Sequence, residues 1–141
     1  MPVIAAVDRG EPTDRIVTEG RALADAFDTD LHVVHVLSRS EFVELERTSV
    51  EKSGETVDMD RIRDYATKVA KEAAQDGDTC VGLVGDAADQ LAEYAEDHDA
   101  SYLVVGGRRR SPVGKALFGS VTQEVLLSAP VPVVTVLDEE D

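Results

Sequence analysis

Residues 102–126 read YLVVGGRRRSPVGKALFGSVTQEVL: an apolar run, a glycine pair, a basic loop and then a helical pattern. That succession decides the fold. A short apolar run bounded by glycine reads as a buried strand, and a strand feeding a helix is half of a βαβ unit. Working outward, the same alternation fills the chain. Val3 to Val7 reads as a strand, and residues 13–27 as a helix with Ile16, Gly20, Leu23, Ala24 and Phe27 on one face. Leu31 to Leu37 (LHVVHVL) is a second strand. Residues 38–57 are polar and irregular, with a short helix near Glu41 to Arg47. Residues 58–75 carry Ile62, Tyr65, Ala66, Val69, Ala70 and Ala73 at helical spacing, and Thr79 to Val84 is a third strand. Asp86 caps the next helix, which buries Ala88, Leu91, Ala92 and Ala95. Tyr102 to Val105 is the fourth strand, residues 120–128 the last helix, and Val133 to Leu137 the fifth strand.

Strands alternating with helices predict an α/β fold, a parallel sheet with helices on both faces. The strands are almost continuously apolar, as strands buried on both faces are. No repeat or linker interrupts the pattern, so residues 1–141 are expected to form a single domain. In an open parallel sheet, ligands bind beyond the carboxyl ends of the strands. The loops to inspect follow Val7, Leu37, Val84 and Val105.

Charge narrows the function. There are 29 acidic and 14 basic residues, for a net charge of −15. Such a surface repels nucleic acid and anionic membranes, so neither is an expected partner. Abundant Asp and Glu with few Lys suits a halophilic cytoplasm; an ordinary acidic protein is the alternative. A lone cysteine, Cys80, excludes an internal disulfide and reads as a buried structural thiol. The start, MPVIAAVDRG, lacks the basic and long apolar segments of a signal peptide, and no apolar run reaches the length of a membrane span. A soluble cytoplasmic protein is expected.

Several enzyme signatures fail. Gly114-Lys115 is followed by Ala116, and position 109 is Arg, so there is no Walker A loop. No GxGxxG follows the first strand. His32 and His35 stand at odd spacing on a strand, hence on opposite faces, which disfavours a shared metal. No Ser/His/Asp set assembles locally. The chain is therefore expected not to be an enzyme.

What remains is the loop quoted first. Gly106 and Gly107 follow the strand, where a backbone turns sharply or approaches a ligand closely. Arg108, Arg109, Arg110 and Lys115 place four basic residues within one short stretch. Gly119-Ser120 then opens a helix, whose first amides and positive dipole end attract anions. Together these predict a phosphate cradle. Each feature alone has a plainer reading: a turn, an offset to acidic surface, or a capping box formed by Ser120 and Gln123.

The same segment resembles the universal stress proteins, whose nucleotide motif is Gly, two residues, Gly, nine residues, then Gly and Ser or Thr. Gly106 matches the first glycine and Gly119-Ser120 the end; the second glycine falls on Arg109. AAVDRG, HVVHVL, ASYLVVGG and GSVTQEVLLSAPVPVVTV carry the likeness across nearly the whole chain. Arg109 either obstructs the approach that glycine permits or pairs with phosphate through its planar fork; both readings stand.

The resemblance implies a doubly wound, Rossmann-like sheet of order 3-2-1-4-5. It places Asp8 beside the Gly106 loop, on ribose or adenine, where its other reading is a turn residue. It places Val36 against adenine, where its other reading is a core valine. Gly106, Gly107, Arg108, Gly119, Ser120 and Val121 match the phosphate and ribose loop. Beyond the resemblance, Arg108 and Arg110 are added as charge contacts, with Lys115 a lesser candidate, and Arg109 joins the site in its phosphate-pairing reading. The implied cofactor is ATP, with Mg²⁺ as companion ion. The implied role is a stress-responsive regulatory protein, a homodimer paired along the last strand at Val131, Val133, Val134 and Val136. Two rivals remain: a non-nucleotide-binding member acting through protein partners, and an adenylate-transferring enzyme, against which the short chain counts.

Overall fold

The computed structural model describes residues 1–8, 13–38, 40, 42–44, 47, 59–107 and 120–137. Its strands are β1 (Val3–Ala6), β2 (Leu31–Leu37), β3 (Thr79–Val84), β4 (Tyr102–Gly107) and β5 (Val133–Leu137). Its helices are α1 (Thr13–Ala26), α2 (Met59–Ala73), α3 (Ala87–Asp97) and α4 (Ser120–Ser128). Backbone at 42–44 is also helical, within the stretch where a short helix is expected. All strand pairs are parallel, and the sheet order is β3-β2-β1-β4-β5. The doubly wound sheet read from the sequence is the sheet observed.

The two faces follow from the period of two along each strand. Val3, Ala5, Val7, Val33, Val104 and Val136 point to one side and pack on Ile16, Val17 and Ala24 of α1 and Ala70 of α2. Ile4, Val34, Val36, Leu103 and Val105 point to the other, where Ala88, Leu91 and Ala95 of α3 and Val125 of α4 cover them. Successive crossovers before β3 thus use one face, and those after it use the other. Asp86 caps α3 as expected: its carboxylate accepts from the Asp89 amide at 3.1 Å.

Gly82 decides how closely α2 sits on the sheet. A β-carbon there would lie 2.3 Å from the Thr67 backbone nitrogen and 2.7 Å from the Ala66 carbonyl carbon. Only glycine permits that approach. An ion pair closes the same side. Arg21 on α1 grips Asp78, in the turn before β3, through both guanidinium nitrogens. The Gln75 amide also donates to Asp78, at 2.9 Å. Burial works to raise the Asp78 carboxyl, but Arg21 and Gln75 outweigh it and hold it below the ordinary value of 3.8. A carboxyl depressed by folding stabilises above its unfolded pKa and loses that contribution as pH falls through the folded one. Asp78→Ala is expected to cost about 2 kcal/mol at neutral pH. Urea titrations should show the gap between variant and parent closing below about pH 4.

Three details depart from the sequence reading. Gly106 and Gly107 do not follow β4 but end it, paired with Val136 and Leu137. Backbone pairing with β5 overrides the poor strand propensity of glycine. Phe27 is not on the buried face of a helix: α1 ends at Ala26, and Phe27 is 57% exposed, tilted against the Tyr102 ring. Cys80 is half-buried on edge strand β3 rather than sealed in the core.

Candidate functional site

The site starts from a parting in the sheet. β1 and β4 pair only at Val3↔Tyr102, Ile4↔Leu103 and Ala5↔Val104. Beyond that, β1 stays with β2, through a bond from the Val7 amide to the Val34 carbonyl at 2.9 Å. β4 stays with β5 to Gly107↔Leu137. The helices that follow these two strands, α1 and α4, cover opposite faces of the sheet, so the fold reverses between the two strand ends. This is the switch point at which doubly wound sheets take ligands.

Asp8 stands two residues past the end of β1. Its side chain is 79% exposed, with Oδ1 4.0 Å from Nδ1 of His35. His35 is buried on β2 beneath it, its Nδ1 2.9 Å from the Val7 carbonyl. A carbonyl only accepts, so Nδ1 carries the proton and donates. This bond fixes the residue that precedes Asp8. The reading of His35 as structural agrees with that bond, and His32 lies on the opposite face, its Nδ1 2.7 Å from the Tyr94 hydroxyl. Among the described residues, no group of three or more His, Cys, Asp or Glu is placed to hold a metal ion.

Gly106 and Gly107 are the last residues of β4. Ser120 and Val121 open α4, and Val121 is exposed. Thr122, which the sequence reading passed over, joins the two elements. Its hydroxyl donates to the Gly106 carbonyl at 2.7 Å, and the residue is buried. The first turn of α4 is thereby held against the end of β4. A signal for Thr122 exists in the sequence: it stands three residues before the core residue Val125, so it shares its inward face. Arg108, Arg109, Arg110, Lys115 and Gly119 lie outside the described residues. Val36 is 9% exposed and belongs to the core cluster with Leu91 and Leu103, which favours its plainer reading as a core valine.

The described residues fit a phosphate-bearing ligand. A solvent-facing carboxylate flanks one side of the switch point, glycine without a side chain flanks the other, and a helix N-terminus is tied to that glycine. The amides of that first helical turn have no intrahelical acceptors, so they can receive phosphate oxygens. Among the described residues no helix is long and apolar enough to cross a membrane.

Comparison with known proteins agrees with this architecture. The family model described as "Universal stress protein family" matches residues 1–136. A universal stress protein of Mycolicibacterium smegmatis is 49% identical over 51 residues, which span 36% of this chain and 39% of that relative's length. The solved structure of a universal stress protein from Archaeoglobus fulgidus superposes with a TM-score of 0.62 at 27% identity, covering 96% of this chain and 97% of that one. A universal stress protein solved in complex with cAMP gives a TM-score of 0.61 at 23% identity, over 96% of this chain and 95% of that one. From its sequence motif, its strand order and the match over residues 1–136, this chain belongs to the universal stress protein family.

Proposed function

We propose that the protein is a regulatory nucleotide-binding module that takes ATP, with Mg²⁺, in the crevice between β1 and β4. The observation that carries this reading is the parting of β1 from β4 after Ala5↔Val104, with Asp8 on one wall and Gly106 on the other. Asp8 accepts hydrogen bonds from the ribose. Gly106 and Gly107 let the phosphates approach the backbone, and the Ser120 and Val121 amides receive them. Arg108, Arg109 and Arg110 supply cationic contacts from the loop between β4 and α4. The cAMP complex of the structural relative supports an adenine ligand for this fold. ATP acts here as a ligand that selects one state for a protein partner to read, not as a substrate.

The protein works in this reading as a cytoplasmic homodimer. β5 is an edge strand of the sheet, and its backbone at Val133, Val134 and Val136 can pair with that of a second copy. The net charge of −15 suits a salt-rich cell.

Arg109 in place of a motif glycine favours one rival, a family member that acts through protein partners without nucleotide. Equilibrium dialysis in molar KCl with Mg²⁺ separates the two. Saturable retention of ATP at one per chain is expected. No retention by the parent, with retention by Arg109→Gly, would transfer the protein to the rival reading.

A further inference from the structure

The bond between Thr122 and Gly106 spans the two elements that the nucleotide site needs together. Gly106 is the penultimate residue of β4, past the point where β1 has departed on one side. Its carbonyl, half-buried, accepts from the buried Thr122 hydroxyl at 2.7 Å. Thr122 is the third residue of α4, so this bond acts on the turn that carries the anion-receiving amides. Val125, one turn further on, is anchored in the core and fixes the helix axis. A bond from the first turn to β4 adds a second point of attachment beside that anchor. The hydroxyl of Thr122 is a side-chain group that bonds this turn directly to β4.

We propose that Thr122 is a positioning residue for the nucleotide: its hydroxyl holds the α4 amides in register with the end of β4, and so sets affinity without touching the ligand. The proposal rests on the nucleotide reading above. Its physical content is a population. When the hydroxyl is removed, the turn samples orientations in which its amides point away from the crevice, and apparent affinity falls by the fraction still aligned. Valine has the shape of threonine but cannot donate, so Thr122→Val removes the bond with little change in packing volume. Serine keeps the donor and loses only a methyl group.

The test is ATP affinity by equilibrium dialysis for the parent, Thr122→Val and Thr122→Ser, with thermal melts of each protein without nucleotide. The expected result is binding about tenfold weaker in Thr122→Val, as one net hydrogen bond implies, and within about threefold of the parent in Thr122→Ser. A lower melting temperature in Thr122→Val with unchanged affinity would make Thr122 a purely structural residue and overturn the proposal, while leaving the nucleotide reading intact. Equal weakening by both variants would also overturn it, since packing rather than donation would then control the site. No binding by the parent would overturn the nucleotide reading itself, and this proposal with it.

Discussion

Gly82→Ala is expected to destabilise the protein by about 3 kcal/mol, at the upper end of overpacking costs. In a chain of this size that corresponds to a melting temperature lower by about 10 °C. The added carbon would meet backbone atoms of Thr67 and Ala66, not the movable end of a side chain. Relief therefore requires α2 to lift away from β3 along its length. That movement would loosen Ile62 and Ala66, which pack on Leu37. Differential scanning calorimetry of the two proteins in the same salt checks the shift. An unchanged melting temperature would mean that α2 is not seated as described.

Asp8→Ala should have the opposite profile. Asp8 is exposed at the end of β1, so the fold does not depend on its burial. Its role in the account is to accept hydrogen bonds from the ribose. Losing a hydrogen bond to a charged group is worth about 2 kcal/mol, or about thirtyfold in affinity. Isothermal titration with ATP should show that loss, while the melting temperature of the nucleotide-free protein stays within about 2 °C of the parent, as for most exposed substitutions. Loss of stability together with affinity would instead make Asp8 a structural residue that fixes the turn out of β1.

Much of the fold was legible because burial on both faces leaves an unmistakable trace. Apart from His32 and His35, LHVVHVL and YLVV are built of apolar and aromatic residues, and the helices between them repeat their apolar positions at 3.6-residue spacing. Strand order is a different matter. No periodicity distinguishes 3-2-1-4-5 from another parallel order, and it was reached through resemblance. The boundaries that failed did so for local reasons. Gly106 and Gly107 read as a turn because glycine weakens strands, yet register with Val136 and Leu137 keeps them in the ladder. Phe27 fits the helical period of α1, but the helix stops one residue earlier, and past its end the period no longer says where a side chain points.

The candidate site was half legible. Asp8 and Gly106 announce themselves by standing at strand ends, and the structure puts them on the two strands that part. Val36 could not be resolved by sequence, since a valine at a strand end serves a ligand pocket and a core equally well. In the structure it belongs to the core cluster that holds Leu91 and Leu103. Thr122 escaped because its contact reaches across sixteen residues to a backbone carbonyl, which no side-chain motif encodes.

The most direct test of the central claim is an ATP titration of isotopically labelled protein in molar KCl with Mg²⁺, followed by amide chemical shifts. The account predicts saturable shifts at Asp8, Gly106, Gly107, Ser120 and Val121, with the amides at the amino ends of the strands, such as Leu31 and Tyr102, unmoved. Shifts absent throughout, or centred on the amino ends of the strands, would contradict a nucleotide site between β1 and β4.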